Sequence, residues 1–243
     1  MYTRSTPYYD HIYAHYNHAA FAATVHTIVQ QRAERPAITL LDVACGTGLD
    51  LSHLREHYTV EGIDLDPRML EIASQRLPGV PLHVGDMTDF DLGHTFDVVT
   101  CLGSAIGAVR TLERLNSAVA CMARHLNAGG MLIVEPWFTP DVYVPGMLSS
   151  LCIEEPELRI ARMNVGRVEG NISILDFHYL VGTPEGVDYF SERLELGLFT
   201  HEEYMDSFLS AGLEPEHEPH GLTGRGLYVG IKPAYEQIHA KDN

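Results

Sequence analysis

The sequence predicts an α/β fold: a mostly parallel sheet with helices on both faces, carrying a small antiparallel β extension. Three observations lead to this prediction. Short apolar runs alternate with helix-like segments through the first half, which is typical of a parallel sheet covered on both sides. A glycine-containing turn at 44–48 follows the first of these runs, where such sheets bind ligands. After Trp137 the pattern changes to strand-like alternation.

The first half supplies the parallel strands and the helices between them. Each predicted strand is a short apolar run, and each predicted helix has apolar residues at helical spacing. Pro67 suits the first turn of one helix. We predict strands at 39–45, 59–65, 82–86, 96–102 and 129–137, with helices at 50–58, from 67 onward and at 113–125.

The second half predicts a different arrangement. Residues 161–200 alternate in polarity, with turn signals at "EGN" and "TPEG", which favours antiparallel strands. A helix at 201–211 and a strand at 226–233 follow. We therefore assign residues 1–137 and 194–233 to a ligand-binding core. Residues 138–193 are assigned to an antiparallel β insertion that forms part of the substrate pocket.

The composition excludes several classes of partner. The 243 residues include 16 basic and 33 acidic side chains, a formal net charge of −17. Such a surface repels phosphate backbones and anionic lipid, so we predict no nucleic acid and no membrane as partner. No apolar run approaches the ~18 residues that a membrane-spanning helix needs. The four cysteines lie far apart, which indicates reduced thiols in a cytoplasmic protein.

Histidines are numerous, but their spacing does not predict a metal site. The sequence has 14 histidines and no HExxH pair. The spacing of His11, His15 and His18 more simply describes one face of a helix. We therefore predict that the protein binds no metal.

The stretch "TLLDVACGTGLDL" at 39–51 predicts a small-molecule site. Gly46 and Gly48 permit a tight turn and a close approach of a ligand to the backbone. Asp64 ends the next strand, 22 residues after Asp42, where a carboxylate can accept hydrogen bonds from a ribose diol. An ordinary strand-to-helix turn explains the glycines equally well, so the acids at successive strand ends carry the prediction.

The type of ligand follows from what the loop lacks. "GTGLDL" departs from G-x-G-x-x-G, because the third glycine, which packs the helix closely for a pyrophosphate, is missing. Asp42 would also repel a phosphate. At the end of the third strand, Asp86 is placed to meet an adenine amine and Met87 to pack on the ring. A ligand with ribose, adenine and a positive centre but no phosphate fits these features, and S-adenosylmethionine is such a ligand.

Several motifs resemble those of a known family. "LLDVACGTG" is similar to motif I of class I S-adenosylmethionine-dependent methyltransferases. The segments "GDMTDF", "VEPWF", "DFHYLV", "LFT.EEY" and "TGRGLYVG" resemble, in this order, the N,N-dimethyltransferases of deoxyamino sugars such as desosamine and mycaminose. Those enzymes act on a sugar amine attached to a thymidine diphosphate. The resemblance runs from about Tyr8 to Lys232 and implies a Rossmann-like class I methyltransferase fold.

The resemblance also implies roles for individual residues. Around the cofactor it places residues beside the methionine part, at the ribose, at the adenine, at the sulfonium and in an aromatic lid. On the acceptor side it places residues of the "EPW" motif, one histidine and one arginine, which would contact an anion if the substrate carries a phosphate. The cofactor set is Ala44, Gly46, Thr47, Gly48, Asp64, Leu65, Asp86, Met87, Cys101, Tyr9 and Tyr13; the acceptor set is Glu135, Trp137, His178 and Arg225.

The sequence departs from the sugar enzymes at two places. Ala108 follows the glycine of "SAIGAV", where they carry an aromatic residue or histidine, so the acceptor pocket is enlarged. A basic residue near the N-terminus is replaced within "HYNHAAF", where Asn17 or His18 would have to contact the cofactor carboxylate. The amino-sugar acceptor is therefore less firmly implied than the cofactor.

Methyl transfer from a sulfonium is an in-line displacement that depends mainly on alignment of the reacting atoms. We expect Tyr9, Tyr13 and Trp137 to favour the dispersed positive charge through their ring faces. His178 is the candidate for orienting or deprotonating the nucleophile, with Tyr13 as the second catalytic candidate. Ordinary packing explains the aromatic residues as well, and a solvent-facing strand position explains His178.

Three alternatives stay open at this point. In the first, the methyl acceptor is an oxygen or a carbon, as in an indole or an amino-acid derivative. In the second, the chain is a cofactor-binding subunit without catalysis. In the third, it is an NAD(P)H reductase, which the missing third glycine disfavours. The acidic composition neither requires nor excludes a homodimer, the assembly that the sugar enzymes often form.

Overall fold

The computed structural model describes residues 4–234, which form two sheets with helices around the larger one. The helices are α1 Tyr9–Tyr13, α2 His18–Arg32, α3 Leu49–Leu54, α4 Pro67–Arg76, α5 Leu112–Arg124 and α6 His201–Ser210, with 3₁₀ turns at Thr6–Tyr8 and Ala105–Val109. The strands are β1 Thr39–Val43, β2 Thr59–Asp64, β3 Leu82–Val84, β4 Phe96–Cys101, β5 Leu126–Val134, β6 Leu148–Glu154, β7 Arg159–Glu169, β8 Ile172–Thr183, β9 Gly186–Gly197, β10 Glu214–Glu218 and β11 Leu227–Ile231.

The larger sheet has the strand order β10-β11-β5-β4-β1-β2-β3. Strands β1 to β5 pair in parallel, whereas β11 is antiparallel to β5 and to β10. The chain progresses outward from β1 through β2 to β3 and then returns to β4 on the other side of β1. The carboxyl ends of β1 and β4 therefore flank the point where the strand order reverses, which is where open α/β sheets bind ligands.

The smaller sheet is an antiparallel meander, β6-β7-β8-β9. Its inner face is apolar and packs with Ile12 of α1 in one buried cluster. Phe177 and Tyr179 of β8 belong to that cluster, while the residues between and beside them point to the other face because strand side chains alternate. The smaller sheet therefore forms a wall opposite the carboxyl edge of the larger one.

Local sequence signals explain where the helices begin. The Asp66 side chain accepts a hydrogen bond from the Arg68 backbone N–H at 3.0 Å, and Pro67 occupies the first turn of α4. Helix α6 starts with a reciprocal capping box between Thr200 and Glu203. These caps satisfy backbone N–H groups that have no partner within their helices.

The predicted α/β architecture is confirmed, with differences in detail. Each predicted strand of the first half is present, and β5 begins earlier, at Leu126. Strand β10 was not predicted, because its residues "EPEHE" are polar and it lies at an edge of the sheet. The predicted boundary between residues 193 and 194 falls inside β9. The helix expected to carry His11, His15 and His18 on one face is interrupted between α1 and α2, so that expectation is wrong.

Candidate active site

A cavity of about 830 Å³ lies between the carboxyl edge of the larger sheet and the inner face of the smaller one. Protein pockets for small molecules typically measure about 300–1,000 Å³, so this one is large enough for a nucleoside-sized ligand and a second molecule. The turns after β1, β2 and β4 line one side, and β7 and β8 line the other. Helix α1 covers part of it through Tyr9 and Tyr13.

The turn after β1 has a backbone shape that exposes it to the cavity. Ala44, Gly46 and Gly48 all have positive φ, at 59°, 55° and 75°. The left-handed conformation costs a non-glycine residue about 1–2 kcal/mol, so the structure around Ala44 must hold it there. Ala44, Gly46 and Thr47 line the cavity, as the sequence predicts.

Asp64, at the end of β2, fixes this turn. One carboxylate oxygen accepts the Gly46 N–H at 2.8 Å, and the other accepts the Asp66 N–H at 2.8 Å. Burial raises the pKa of Asp64, and these two backbone hydrogen bonds limit the rise. Asp64 and Leu65 both line the cavity. A carboxylate with free lone pairs at this position can accept hydrogen bonds from a ribose diol.

The end of β3 contributes Asp86 and Met87 to the cavity wall. One oxygen of Asp86 accepts the N–H and hydroxyl of Thr88 at 2.9 and 2.8 Å, and the other pairs with Arg114 at 2.8 Å. These contacts fix the orientation of the carboxylate. Its role toward an adenine amine stays a prediction.

Asp42 lies within β1 and is 3% exposed, yet it touches the cavity. Burial raises its pKa to about 8, while a hydrogen bond from the Thr100 hydroxyl at 2.7 Å works in the opposite direction. The side chain is therefore mostly neutral at pH 7 when no cation is near. The expectation that Asp42 repels phosphate by its charge is therefore corrected: without a nearby cation the side chain carries little charge at pH 7.

Two aromatic residues of α1 lie at the cavity, where the resemblance predicts a lid. The ring centroids of Tyr9 and Tyr13 are 4.5 Å apart, and both rings line the cavity. Burial raises the pKa of Tyr9 well above its ordinary value, so its hydroxyl stays protonated. His18 also lines the cavity, and its hydrogen bond with Asp50 raises its pKa. Asn17 instead caps α2, so of these two residues His18 is the one that lines the cavity.

Glu135 connects three segments in the cavity wall. It is 1% exposed, and one oxygen accepts the Gly103 N–H at 2.8 Å. The other accepts the Thr223 hydroxyl at 2.5 Å and lies 3.4 Å from Arg225 Nη2. Burial raises the pKa of Glu135, and Arg225 limits the rise. The carboxylate therefore holds the turn after β4 and the loop before β11 together.

Arg225 and Trp137 lie side by side in the cavity wall. The guanidinium carbon is 5.5 Å from the Trp137 ring centroid, and the indole N–H donates to the Ser173 hydroxyl at 2.9 Å. Within residues 4–234, Arg225 Nε has no hydrogen-bond partner although it is buried. Ala108 lines the cavity on the 3₁₀ turn after β4, where its small side chain leaves room.

The structure adds Arg162, which the sequence reasoning missed. Arg162 lies on β7 and lines the cavity, with its guanidinium carbon 4.8 Å from the Phe177 ring centroid and 6.0 Å from that of Tyr13. Its Nη1 is buried and has no hydrogen-bond partner in the described part of the chain. Ile160 and Asn164, which share a face of β7 with Arg162, are buried, so this is the inner face of the strand. The sequence alone does not show which face of β7 is the inner one.

His178 does not face the acceptor, so that prediction is wrong. Phe177 and Tyr179 occupy the inner face of β8, and the two-residue period of a strand sends His178 to the outer, exposed face. There its Nδ1 lies 2.7 Å from the Tyr189 hydroxyl. It cannot contact a substrate in the cavity from this position.

Two predicted cofactor residues have other positions. Cys101 is fully buried in the core cluster beneath the larger sheet, and the residues that follow it, Leu102 and Gly103, line the cavity instead. Gly48 lies at the start of α3 behind the cavity wall, where an added Cβ would meet Leu77 Cδ1 at 2.7 Å. A side chain at position 48 would therefore have to displace Leu77, at the end of α4.

Residues 4–234 contain no cluster of three or more side chains arranged to hold a metal ion. Within the same residues, no helix is long and apolar enough to cross a membrane.

Comparison with known proteins decides the family. Residues 40–130 match the family described as a methyltransferase domain. The dTDP-4-amino-2,3,4,6-tetradeoxy-D-glucose N,N-dimethyltransferase of Saccharopolyspora spinosa is 41% identical over 88% of this chain and 86% of its own. The dTDP-3-amino-3,4,6-trideoxy-alpha-D-glucopyranose N,N-dimethyltransferase of Streptomyces venezuelae is 39% identical over 88% and 91%. The chain belongs to this family of N,N-dimethyltransferases.

Solved structures agree with this assignment. Streptomyces venezuelae DesVI superposes with a TM-score of 0.90 at 37% identity, covering 96% of this chain and 100% of its own. CalS10, an S-adenosylmethionine-bound amino pentose methyltransferase of Micromonospora echinaspora, gives 0.85 at 37% identity, covering 96% and 98%. The class I methyltransferase fold, the methyltransferase activity and the cofactor S-adenosylmethionine are confirmed. The reductase and the non-catalytic subunit are set aside.

Proposed function

We propose that this methyltransferase transfers methyl groups from S-adenosylmethionine to the amine of a nucleoside-diphosphate-linked deoxyamino sugar in natural-product biosynthesis. The relatives named above act on such sugars. The observation that carries the proposal is a pair of cavity arginines, Arg162 and Arg225, each with a buried nitrogen that has no partner among residues 4–234. A small-molecule acceptor that bears an anion would satisfy both.

The charge distribution supports an anionic acceptor. The chain has a net charge of −17, yet Arg162 and Arg225 both line the cavity and bring positive charge to it. Arg225 keeps a long contact of 3.4 Å to Glu135, which leaves most of its N–H donors available. Guanidinium groups pair with phosphate oxygens through two parallel hydrogen bonds. The diphosphate of a nucleotide sugar has the matching chemistry.

The cofactor supplies a methyl group on a positively charged sulfur. On the strand-edge side, Ala44, Gly46 and Thr47 would approach its methionine part and Asp64 its ribose. This assignment is supported by the cavity position of all four and by the free lone pairs of the Asp64 carboxylate. Met87 and Asp86 would lie at the adenine. These acids also favour a cationic ligand over a phosphate.

The chain's own contribution to the reaction is positioning and exclusion of water. Tyr9 and Tyr13 would cover the reacting atoms and offer ring faces to the dispersed positive charge. An amine attacks as its neutral form, and burial in this cavity lowers an amine pKa, so no protein base is required. Tyr13 remains the proposed catalytic contact, since His178 lies outside. The smaller sheet completes the acceptor pocket, in keeping with the proposed insertion.

A transfer assay with labelled S-adenosylmethionine tests the proposal. The acceptors are nucleotide-linked amino sugars, the same amino sugars without the nucleotide, indoles and phenols. We expect labelling of the nucleotide-linked amines. Labelling confined to indoles or phenols would remove the amino-sugar proposal and favour a carbon or oxygen acceptor, which the small Ala108 side chain leaves room for.

Arginine variants connect that assay to the structure. Arg162→Gln and Arg225→Gln should each lower kcat/KM for the nucleotide-linked acceptor about 10- to 100-fold, the value of one charge-assisted hydrogen bond. The free amino sugar should show no such loss. Arg124→Gln, at an exposed position of α5, is the matched control. Equal losses on both acceptors would contradict a phosphate contact.

We also propose a homodimer formed through the outer face of the smaller sheet. Leu148, Met163, Leu180 and Tyr189 are 79%, 59%, 50% and 56% exposed on that face. Leu148 pairs with Val165 and Leu180 with Tyr189 across the strands, so exposed apolar side chains lie next to each other at two places on this face. A second copy would bury these side chains against its own. Light scattering should give a dimer that Leu180→Glu dissociates; a wild-type monomer would contradict the dimer.

A cytoplasmic location completes the proposal. It is supported by four cysteines that form no disulfide, three of them buried.

A further inference from the structure

The N-terminal segment contacts both walls of the cavity. On one flank, Ile12 of α1 is 1% exposed within the apolar cluster of the smaller sheet, and the Ser5 N–H donates to Glu192 at 3.1 Å. His11 Nδ1 lies 2.8 Å from Glu155 on the same side. This flank therefore combines buried apolar surface with hydrogen bonds to the smaller sheet.

The other flank is held by a polar network centred on Asp10. One carboxylate oxygen of Asp10 accepts the Thr47 hydroxyl at 2.6 Å. The other accepts Arg76 Nη2, and Arg76 Nη1 donates to the Thr47 carbonyl. Asp10 lies on the lid helix, Thr47 on the cofactor turn and Arg76 at the end of α4. Three separate segments therefore meet in one closed set of hydrogen bonds.

This network links two features that line the cavity, the lid helix and the turn after β1. Asp10 follows Tyr9 directly, so fixing Asp10 fixes the ring that covers the cavity. Thr47 is 1% exposed and lies in the positive-φ turn between Gly46 and Gly48. Its hydroxyl and its carbonyl are both occupied by the network. Displacing the lid and reshaping the turn therefore disrupt the same contacts.

The two flanks differ in how easily they separate. The Asp10 and Arg76 side chains are 32% and 24% exposed, so water can replace their hydrogen bonds as they break. Separating Ile12 from the smaller sheet would expose apolar surface with no compensating contact. Opening at the Asp10 flank, with α1 pivoting on its apolar flank, is therefore the lower-cost route.

We propose that Asp10 and Arg76 form a latch, a pair of positioning residues that closes the lid over the cofactor and sets how long the cofactor stays bound. The latch concerns the cofactor alone. It therefore holds or fails independently of the proposed amino-sugar acceptor.

The test measures S-adenosylhomocysteine dissociation by stopped-flow fluorescence, with Trp137, the single tryptophan of the sequence, as the reporter in the cavity wall. Asp10→Asn and Arg76→Gln should each raise the dissociation rate about tenfold, as expected for one lost hydrogen bond. Amide hydrogen exchange of residues 9–16 should accelerate in both variants. Asp10→Glu should restore part of the slow dissociation.

Glu155→Gln is the matched control, because it alters an ion pair on the opposite flank of the same helix. It should leave the dissociation rate within about twofold of wild type. Equal rates for Glu155→Gln and Asp10→Asn would overturn the latch.

A second comparison separates positioning from folding. Thr47→Val removes the hydroxyl that donates to Asp10 and leaves the Arg76–Asp10 pair in place. This variant should also release S-adenosylhomocysteine faster and should have a higher KM for the cofactor. Its Tm and its KM for the acceptor should be unchanged. If Asp10→Asn lowers Tm and Thr47→Val dissociates at the wild-type rate, the network is structural and the proposal is wrong.

Discussion

Replacing Asp42 with asparagine should make the protein more stable, and increasingly so as the pH rises. Burial at the end of β1 raises the pKa of Asp42 from an ordinary value of 3.8 to about 8. The folded protein therefore holds a proton on this side chain over a pH range in which the unfolded chain has released it. Folding is penalised across that range because a proton must be taken up.

The sign and size follow from linkage. A carboxyl whose pKa is raised in the folded state makes its full contribution to stability below about pH 4. This contribution is lost as the pH rises toward 8. Each pH unit between these limits lowers the free energy of unfolding by about 1.4 kcal/mol, so the total loss is roughly 4 kcal/mol at pH 7. The asparagine side chain of the variant does not titrate, and its amide oxygen can still accept the Thr100 hydroxyl.

Urea unfolding of the cofactor-free protein from pH 5 to 8 measures the effect. The free energy of unfolding of Asp42→Asn minus that of wild type should rise with a slope of about 1.4 kcal/mol per pH unit. Cofactor is omitted because a bound cation favours the ionised carboxylate. Glu34→Gln, at an exposed acid, should give a flat difference. A flat difference for Asp42→Asn would refute a buried, neutral Asp42.

Three further predictions concern the cavity and its supports. Asp64→Ala should weaken S-adenosylhomocysteine binding about 100-fold by calorimetry, because two charge-assisted hydrogen bonds to the ribose are lost at about 1.5 kcal/mol each; unchanged affinity would remove Asp64 from the site. Gly48→Ala should lower the free energy of unfolding by about 2–4 kcal/mol, since φ is 75° and the added Cβ meets Leu77 at 2.7 Å. Gly46→Ala is the control: φ is 55° and the described chain leaves open space around it, so the loss should be only about 1–2 kcal/mol. His178→Ala should leave kcat/KM within about twofold of wild type, because the side chain is exposed on the outer face; a loss above tenfold would return it to the mechanism.

Much of the cofactor half of the site could be predicted from sequence. Strand ends are local features, and a parallel sheet brings its carboxyl ends to one edge, so Asp64 and Asp86 could be placed together without coordinates. The glycine turn is likewise a local requirement of backbone shape. The prediction for Cys101 was wrong because its position at the end of β4 does not specify which face of the sheet its side chain takes.

The acceptor half was harder to predict because it depends on the smaller sheet. Alternation along β8 shows that His178 and Phe177 point opposite ways, but only packing against α1 shows that Phe177 is the inner one. Arg162 was missed for the same reason. A charged residue in a strand is normally solvent-facing, and its burial in a cavity is decided by what the strand packs against.

The sequence by itself determined the α/β fold and indicated the cofactor, since periodicity, strand-end acids and a glycine turn are encoded within short segments. The class of reaction was implied by the resemblance of "LLDVACGTG" and the later motifs to methyltransferases. The tertiary structure decided which side chains meet across long chain separations. Asp10, Thr47 and Arg76 come from three separate elements, and Arg225 reaches Glu135 from a loop far along the chain. Contacts of this kind depend on how the two sheets and α1 pack, and no local pattern specifies that packing.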